Sequence, residues 1–350
     1  MVIKRLKSAF NSRCILLFLS GAFFLASCSH NPLNIDVSNI HIPPVKINRL
    51  ERDMFTMNPD SINNYTPIMT RKYGPFYSNF VISFINDGGI MDSTYAEMLK
   101  RFITDTTMRK VYDSCEKKYP AMSFLEKGLT GAFKHFKYYF PDSSLPHVVT
   151  VMTGFNYSMI YYNHTLAIAL ERYLGSKNAF YNWLRYPQYK KVHMRKAYML
   201  CDAVYGWLKS VFKPNETRND MLSQIIHEGK IMYLEEALLP KVNDTLKIRY
   251  TGKQLKWCKE NEFNMWAYII QQKLLYSTNQ DEIAKFTNDG PFTPMFNNAF
   301  CPARTGNWMG WQIIRSFMKN NPDVTLPQLM AQKDADYIFQ RSGYKPNKGL

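Results

Sequence analysis

The chain is poor in cysteine, and the cysteines it has are badly spaced for chemistry. Of six in 350 residues, Cys115, Cys201, Cys258 and Cys301 lie beyond the N-terminal segment, none in a CxxC or CxxH spacing. A structural zinc knot needs paired ligands a few residues apart, so that spacing argues against one. In an oxidising compartment the four fit one or two disulfides or simply buried thiols, and the sequence does not choose between them. Beyond residue 28 no apolar run is long enough to cross a bilayer. Ser/Gly tracts, Pro-rich runs and internal repeats are also lacking, so nothing marks a linker, and residues 46–350 read as one domain. Dense blocks of like charge are missing as well. There are 44 Lys and Arg against 28 Asp and Glu, but the basic residues are scattered among aromatics and acids. A solvated basic surface is the expectation; such a charge favours anionic headgroups or acidic glycans, and nucleic acid is not expected.

What is present begins at the N-terminus. "MVIKRLKSAFNSR" supplies Lys4, Arg5, Lys7 and Arg13 with no acid, and "CILLFLSGAFFLASC" follows as an apolar run closed by small residues. That is the pattern of a secretory signal over residues 1–27, too short for a comfortable transmembrane span. Its removal leaves 40 basic against 28 acidic residues, a net charge of +12. The closing "LASC" resembles a bacterial lipobox, which implies cleavage before Cys28 and attachment there of a diacylglycerol and an N-acyl chain such as palmitate. At about 0.8 kcal/mol per buried CH₂, several acyl chains hold a protein at a membrane where one does not. Residues 28–45 read as the tether, since Pro32, Pro43 and Pro44 forbid a helix. By resemblance to other lipoproteins, Ser29 after the cysteine and the lack of an acidic cluster behind it imply the periplasmic face of the outer membrane.

The rest reads as mostly α with a small β-sheet, an α+β fold. Helices are expected over 77–86, twice within 93–118 with Ser93 or Thr94 capping the first, and up to a stop at Pro141. A β-rich run follows at 147–153 and turns at Gly154. "SMIYYNHTLAIALERYLG" then reads as a second strand running into a helix that ends at Gly175. Further helices are expected over 194–212, 217–239, within "TGKQLKWCKENEFNMWAYIIQQKLLYS", and over 308–319.

The helix at 217–239 carries the sharpest question. "IIHEGKIMY" starts like the active helix of a zinc peptidase, in which two histidines at i and i+4 reach one ion and the intervening glutamate activates water. Here His227 and Glu228 are present, but Ile231 stands at i+4 and Lys230 adds a positive charge. On a helical wheel Met221, Leu222, Ile225, Gly229 and Met232 share one face, while His227 lies nearly opposite with Ile231, Leu234 and Leu238. That makes a helix buried on two sides, His227 a hydrogen-bonded core residue, and Glu228 and Glu235 a third, narrower face. Glu262, some way downstream, is the remaining candidate ligand, or else an ordinary helix-face acid.

These blocks, with "GFNYSMIYY", "TGKQLKWCKENEFNMWAYI", "CPARTGNWMGWQIIRSFM" and the terminal "SGYKP", resemble the gliding-motility lipoprotein GldB family of Bacteroidota. That family is similar in turn to predicted zinc peptidases, which implies a zincin-like domain with a degenerate His-Glu helix. The resemblance implies an envelope lipoprotein associated with gliding or the related secretion machinery; with Ile231 in place of the second histidine, the expectation is a non-catalytic protein without a cofactor or metal. Envelope proteins or a peptidoglycan-like polymer are the expected partners. Arg304, Trp308 and Trp311, in a Gly-rich loop entering a helix, are binding candidates, against the plainer reading of a Gly-Trp helix packed in the core. The alternative is a zinc-dependent hydrolase using His227, Glu262 and a third ligand, with Glu228 as base.

Overall fold

A β-rich run between helical segments has to find partners for its ladder, and here it does so at both edges. Strand β2 (His147–Val151) pairs in parallel with β1 (Ile47–Arg49) on one side and β4 (Thr165–Ala169) on the other. The edge strand β3 (Met159–Tyr162) runs antiparallel to β4, giving the order β1-β2-β4-β3. The computed structural model describes residues 32–348 except 86–88, 215–217 and 297. Cys28, the signal segment and the expected helix bounds at 86 and 217 lie outside the described residues.

The sheet corrects one expectation. The segment after Gly154 holds two strands and no long helix: Asn163 and His164, both with positive φ (45° and 57°), form the two-residue turn of a tight hairpin. Only a 3₁₀ turn, Leu170–Tyr173, follows β4. Every residue of β4 is buried, so its apolar run has no alternation, and such a run is ambiguous between strand and buried helix.

Helices make up most of the remainder. Between β1 and β2 come α1 (Leu50–Thr56), α2 (Ile62–Tyr73), α3 (Pro75–Ser83), α4 (Tyr95–Thr104), α5 (Thr106–Lys118) and α6 (Ser123–Tyr139). After it come α7 (Lys196–Val211), α8 (Met221–Leu238), α9 (Gly252–Glu260), α10 (Glu262–Gln271), α11 (Gln280–Thr287), α12 (Thr305–Asn320), α13 (Leu326–Ala331) and α14 (Ala335–Ser342). Residues Asp36–Leu350 form one unit. Helix α7 packs on β3 and β4 with one side and on α8 with the other, so it links the sheet to the helical half. Among the described residues no helix is long and apolar enough to cross a membrane. Cys115, Cys201, Cys258 and Cys301 are free, buried thiols.

The α8–α12 crossing is the tightest joint. A Cβ on Gly229 would stand 2.3 Å from the carbonyl oxygen of Gly310, and one on Gly310 would stand 1.8 Å from that of Ile225. Two helices meet backbone to backbone there, which only glycine permits. Helix α8 starts where Asp220 caps it, its Oδ1 accepting from the Ser223 amide at 2.8 Å. From Gly229 to Leu238 α8 is buried all round, Glu235 included. That differs from the expected third, narrower face. The first half instead opens to solvent through Ser223, Gln224, His227 and Glu228, so His227 is not a core histidine.

Candidate functional site

That open face of α8 forms one wall of a cleft of about 880 Å³. The opposite contributions come from Tyr205 and Lys209 of α7, from Arg249 and Asp289 in loops, and from Arg304 and Asn307 at the start of α12. Tyr205 and Lys209 are four apart on α7, so one helix turn brings both to Glu228. The Tyr205 hydroxyl donates to Glu228 Oε2 at 2.5 Å, and Lys209 Nζ donates to Oε1 at 2.5 Å. Burial, reinforced by the Glu228 charge, pushes the Tyr205 pKa well up, so it remains a donor. Glu228 is thus held between a hydroxyl and an ammonium donor from one turn of α7.

His227 beside it has its pKa pushed down to about 4, chiefly by burial, with Lys230 and Lys209 acting in the same direction against Glu228. At neutral pH it is an uncharged imidazole. The unfolded chain, at about 6.5, takes up this proton first, so the unfolded state binds more protons between about pH 6.5 and 4. Stability is therefore fully present above the unfolded value and is lost as pH falls towards the folded one. Relative to His227→Gln, the wild type is expected to lose up to about 1.4 kcal/mol per pH unit in that window, less for partial solvent screening. Urea midpoints of the two proteins at pH 7 and pH 5 test this; an equal difference at both would refute it.

The residues do not fit a zinc ion. Ile231 is fully buried, and Lys230 sends its ammonium to the carbonyls of Met330 and Gln332 at 3.2 and 2.7 Å. Glu262 lies outside the cleft and accepts from the Tyr344 hydroxyl at 2.7 Å, burial raising its pKa. The structure therefore does not bring Glu262 to His227. Among the described residues no group of three or more His, Cys, Asp or Glu is placed to hold a metal ion. In "HEGK" the glycine serves the helix crossing and the lysine satisfies carbonyls at the C-terminal end of α13.

What the cleft does hold is basic side chains, most of them ion-paired: Lys209 with Glu228, Arg218 with Asp220 and Asp336, Arg249 with Asp202 and Arg304 with Asp289. Lys209, Lys213, Arg218, Arg249 and Arg304 line it against Glu228 and Asp289. Arg304 caps α12 in left-handed backbone (φ 57°), with Nε 3.0 Å from Asp289 and Nη2 donating to the Ile248 carbonyl at 2.5 Å. Arg249 is also left-handed (φ 60°) and donates from Nε to Asp202 at 2.7 Å. Non-glycine residues in that region are uncommon and persist where the surroundings hold them. Both arginines and Asp289 also line a second cleft, of about 450 Å³, so the two clefts meet at these three residues. There His193 is likewise pushed down to about 4, by burial first and then by Arg249 and Arg304. Against burial, Arg304 and Arg249 hold the Asp289 carboxyl below its usual value.

Of the binding candidates only Arg304 reaches the cleft. Trp308 and Trp311 are 2 % and 0 % exposed and pack in the core, so neither offers a surface to a ligand. Sequence reasoning missed Tyr205, Lys209, Arg249, Asp289 and His193. The Tyr205–Lys209 spacing was a usable signal; the backbone of Arg249 was not.

Compared with curated proteins and with solved structures, the chain finds no match. Residues 30–346 match the family described as gliding motility protein GldB, and the chain belongs to that family.

Proposed function

We propose that this chain is a non-catalytic lipoprotein, acylated at Cys28 and facing the periplasm from the outer membrane, that binds an acidic envelope polymer in the cleft beside α8. Family membership makes it a gliding-motility-associated protein of the cell envelope. The observation that carries the binding reading is a lining of five Lys and Arg against two acids, Lys209 already paired with Glu228, around an uncharged His227. An extended ligand with regularly spaced carboxylates, as in the stem peptides of peptidoglycan, matches two clefts joined at Arg249 and Arg304. We read α8 as the degenerate counterpart of a zinc-peptidase helix, its second ligand position turned to core and its glutamate tied to α7.

Retention of the purified protein on peptidoglycan sacculi is expected to be salt-sensitive. Lys209→Ala with Lys213→Ala should weaken it roughly fivefold or more, since exposed charge pairs each contribute up to about 1 kcal/mol. Retention that ignores both salt and these substitutions would sink the proposal. So would one equivalent of zinc kept without chelators and lost, with a hydrolytic activity, in His227→Ala.

A further inference from the structure

Residues 172–201 contain seven Lys and Arg and no Asp or Glu. Spread out along the chain, these charges make no dense run, but the fold gathers much of the stretch into one closed excursion. Leu174 and Arg195 form an isolated antiparallel bridge, and the Gly175 amide donates to the Met194 carbonyl at 2.9 Å, so residues 175–194 leave and return at one point. Inside, buried Tyr181 pins the loop: its hydroxyl donates to the Glu171 carbonyl at 2.7 Å and accepts from the Leu174 amide at 2.8 Å. The Tyr186 hydroxyl, with Arg172 over its ring, reaches the Phe155 carbonyl at 3.1 Å. The loop is therefore held from within, and what it turns outward is fixed by packing.

It turns outward a tryptophan. Trp183 ends a short turn capped by Asn178 and is 66 % exposed; Leu184 beside it is 38 % exposed. The other five tryptophans are buried or half-buried. Exposed Lys177, Arg185 and Lys190 belong to the same loop, and exposed Arg195 and Lys196 follow at its base. Leaving a Trp-Leu pair in water is unfavourable, and the exposed basic residues of the same loop repel a basic partner.

We propose that this loop docks onto a bilayer surface carrying anionic phospholipid headgroups. Tryptophan settles at the headgroup level, leucine enters the acyl boundary, and lysine and arginine meet the phosphates. A carboxylate-bearing polymer would satisfy the charges but offers no apolar layer to receive Trp183 and Leu184. Since the loop is already ordered, little conformational entropy is lost on contact. Trp183, Leu184, Lys177 and Arg185 line neither cleft, although Lys190 of the same loop lines the second one, so the apolar pair and these two basic neighbours stand apart from the polymer site.

The test uses the chain from residue 28 onward with Cys28→Ser, so that no acyl chain contributes, and cosedimentation with vesicles. Binding is expected to phosphatidylglycerol-containing vesicles, weakened by salt, and not to phosphatidylcholine alone. Trp183→Ala with Leu184→Ser should weaken it at least about tenfold. Lys177→Gln with Arg185→Asn should weaken it roughly fivefold per charge lost. All four positions are exposed, so urea midpoints should match the parent. Equal binding to both vesicle types, variants that bind like the parent, or loop variants that lose sacculus retention instead would each overturn the proposal.

Discussion

Gly310→Ala is expected to destabilise the fold by about 3 kcal/mol or more. The added methyl group would sit 1.8 Å from the Ile225 carbonyl oxygen and 2.6 Å from its carbon, both backbone atoms of α8. No rotamer change relieves a clash between a Cβ and a backbone, so the two helices must move apart and lose their shared core. Gly229→Ala meets the same joint from the other side, at 2.3 Å from the Gly310 carbonyl oxygen, and should behave alike. Gly131→Ala on α6 is the control: nothing lies within 4 Å of its Cβ position, and a mid-helix Gly-to-Ala change gains about 0.5–1 kcal/mol. Urea denaturation of the three variants decides the matter. A Gly310→Ala midpoint within about 1 kcal/mol of wild type would mean the helices do not meet as described. Because α8 carries His227 and Glu228 while Arg304 caps α12, loosening this joint should also weaken polymer retention.

That joint was legible in the sequence in part. "GNWMG" places Gly306 and Gly310 four apart, the spacing that puts two small residues on one helix face, and Gly229 stands in "HEGK". Read as a damaged metal motif, Gly229 looks like a loss; read as packing, it is what lets α12 approach. The helical periods marked α7, α8 and α12 to within a few residues, because each has an apolar face and a clear stop. The β3–β4 hairpin was hidden, since Asn163 and His164 are not the Asn-Gly pair that announces such a turn and β4 is buried on both faces. For the cleft, charge scattered over α7, the middle of α8, three loops and the start of α12 has no period to detect. His227 misled for a physical reason. A wheel assigns a side chain to a stripe, but α8 changes from half-open to fully enclosed at Gly229, and no wheel shows where along a helix the cover ends.

Arg315→Met is expected to cost about 3–5 kcal/mol, because it strands a buried acid. Arg315 grips Glu236 with two hydrogen bonds of 2.9 and 2.8 Å, reaches Asp244 at 2.8 Å, and lies 3.9 Å over the Trp311 ring. Glu236 in turn accepts from the Trp311 indole at 2.9 Å. With the guanidinium gone, buried Glu236 keeps, among the described residues, only that indole as a hydrogen-bond partner, and Asp244 keeps Lys247 at 3.2 Å. Adding Glu236→Gln should return part of the loss, since removing both members of a buried pair costs far less than removing one. The acid limb supplies a second readout. Burial works against the ionised Asp244, yet Arg315 holds its carboxyl below the ordinary value, so this contribution is present above the unfolded pKa and lost as pH falls through the depressed one. In Arg315→Met that share of the acid dependence should shrink, as midpoints at pH 6 and pH 3 would show. A double variant no better than the sum of the singles would mean the four groups do not act together. If they do, α8 is clamped to α12 twice, by glycine contact at Gly229 and by this network a turn or two further on. The cleft is then shaped by the same packing that holds Ile231 in the core.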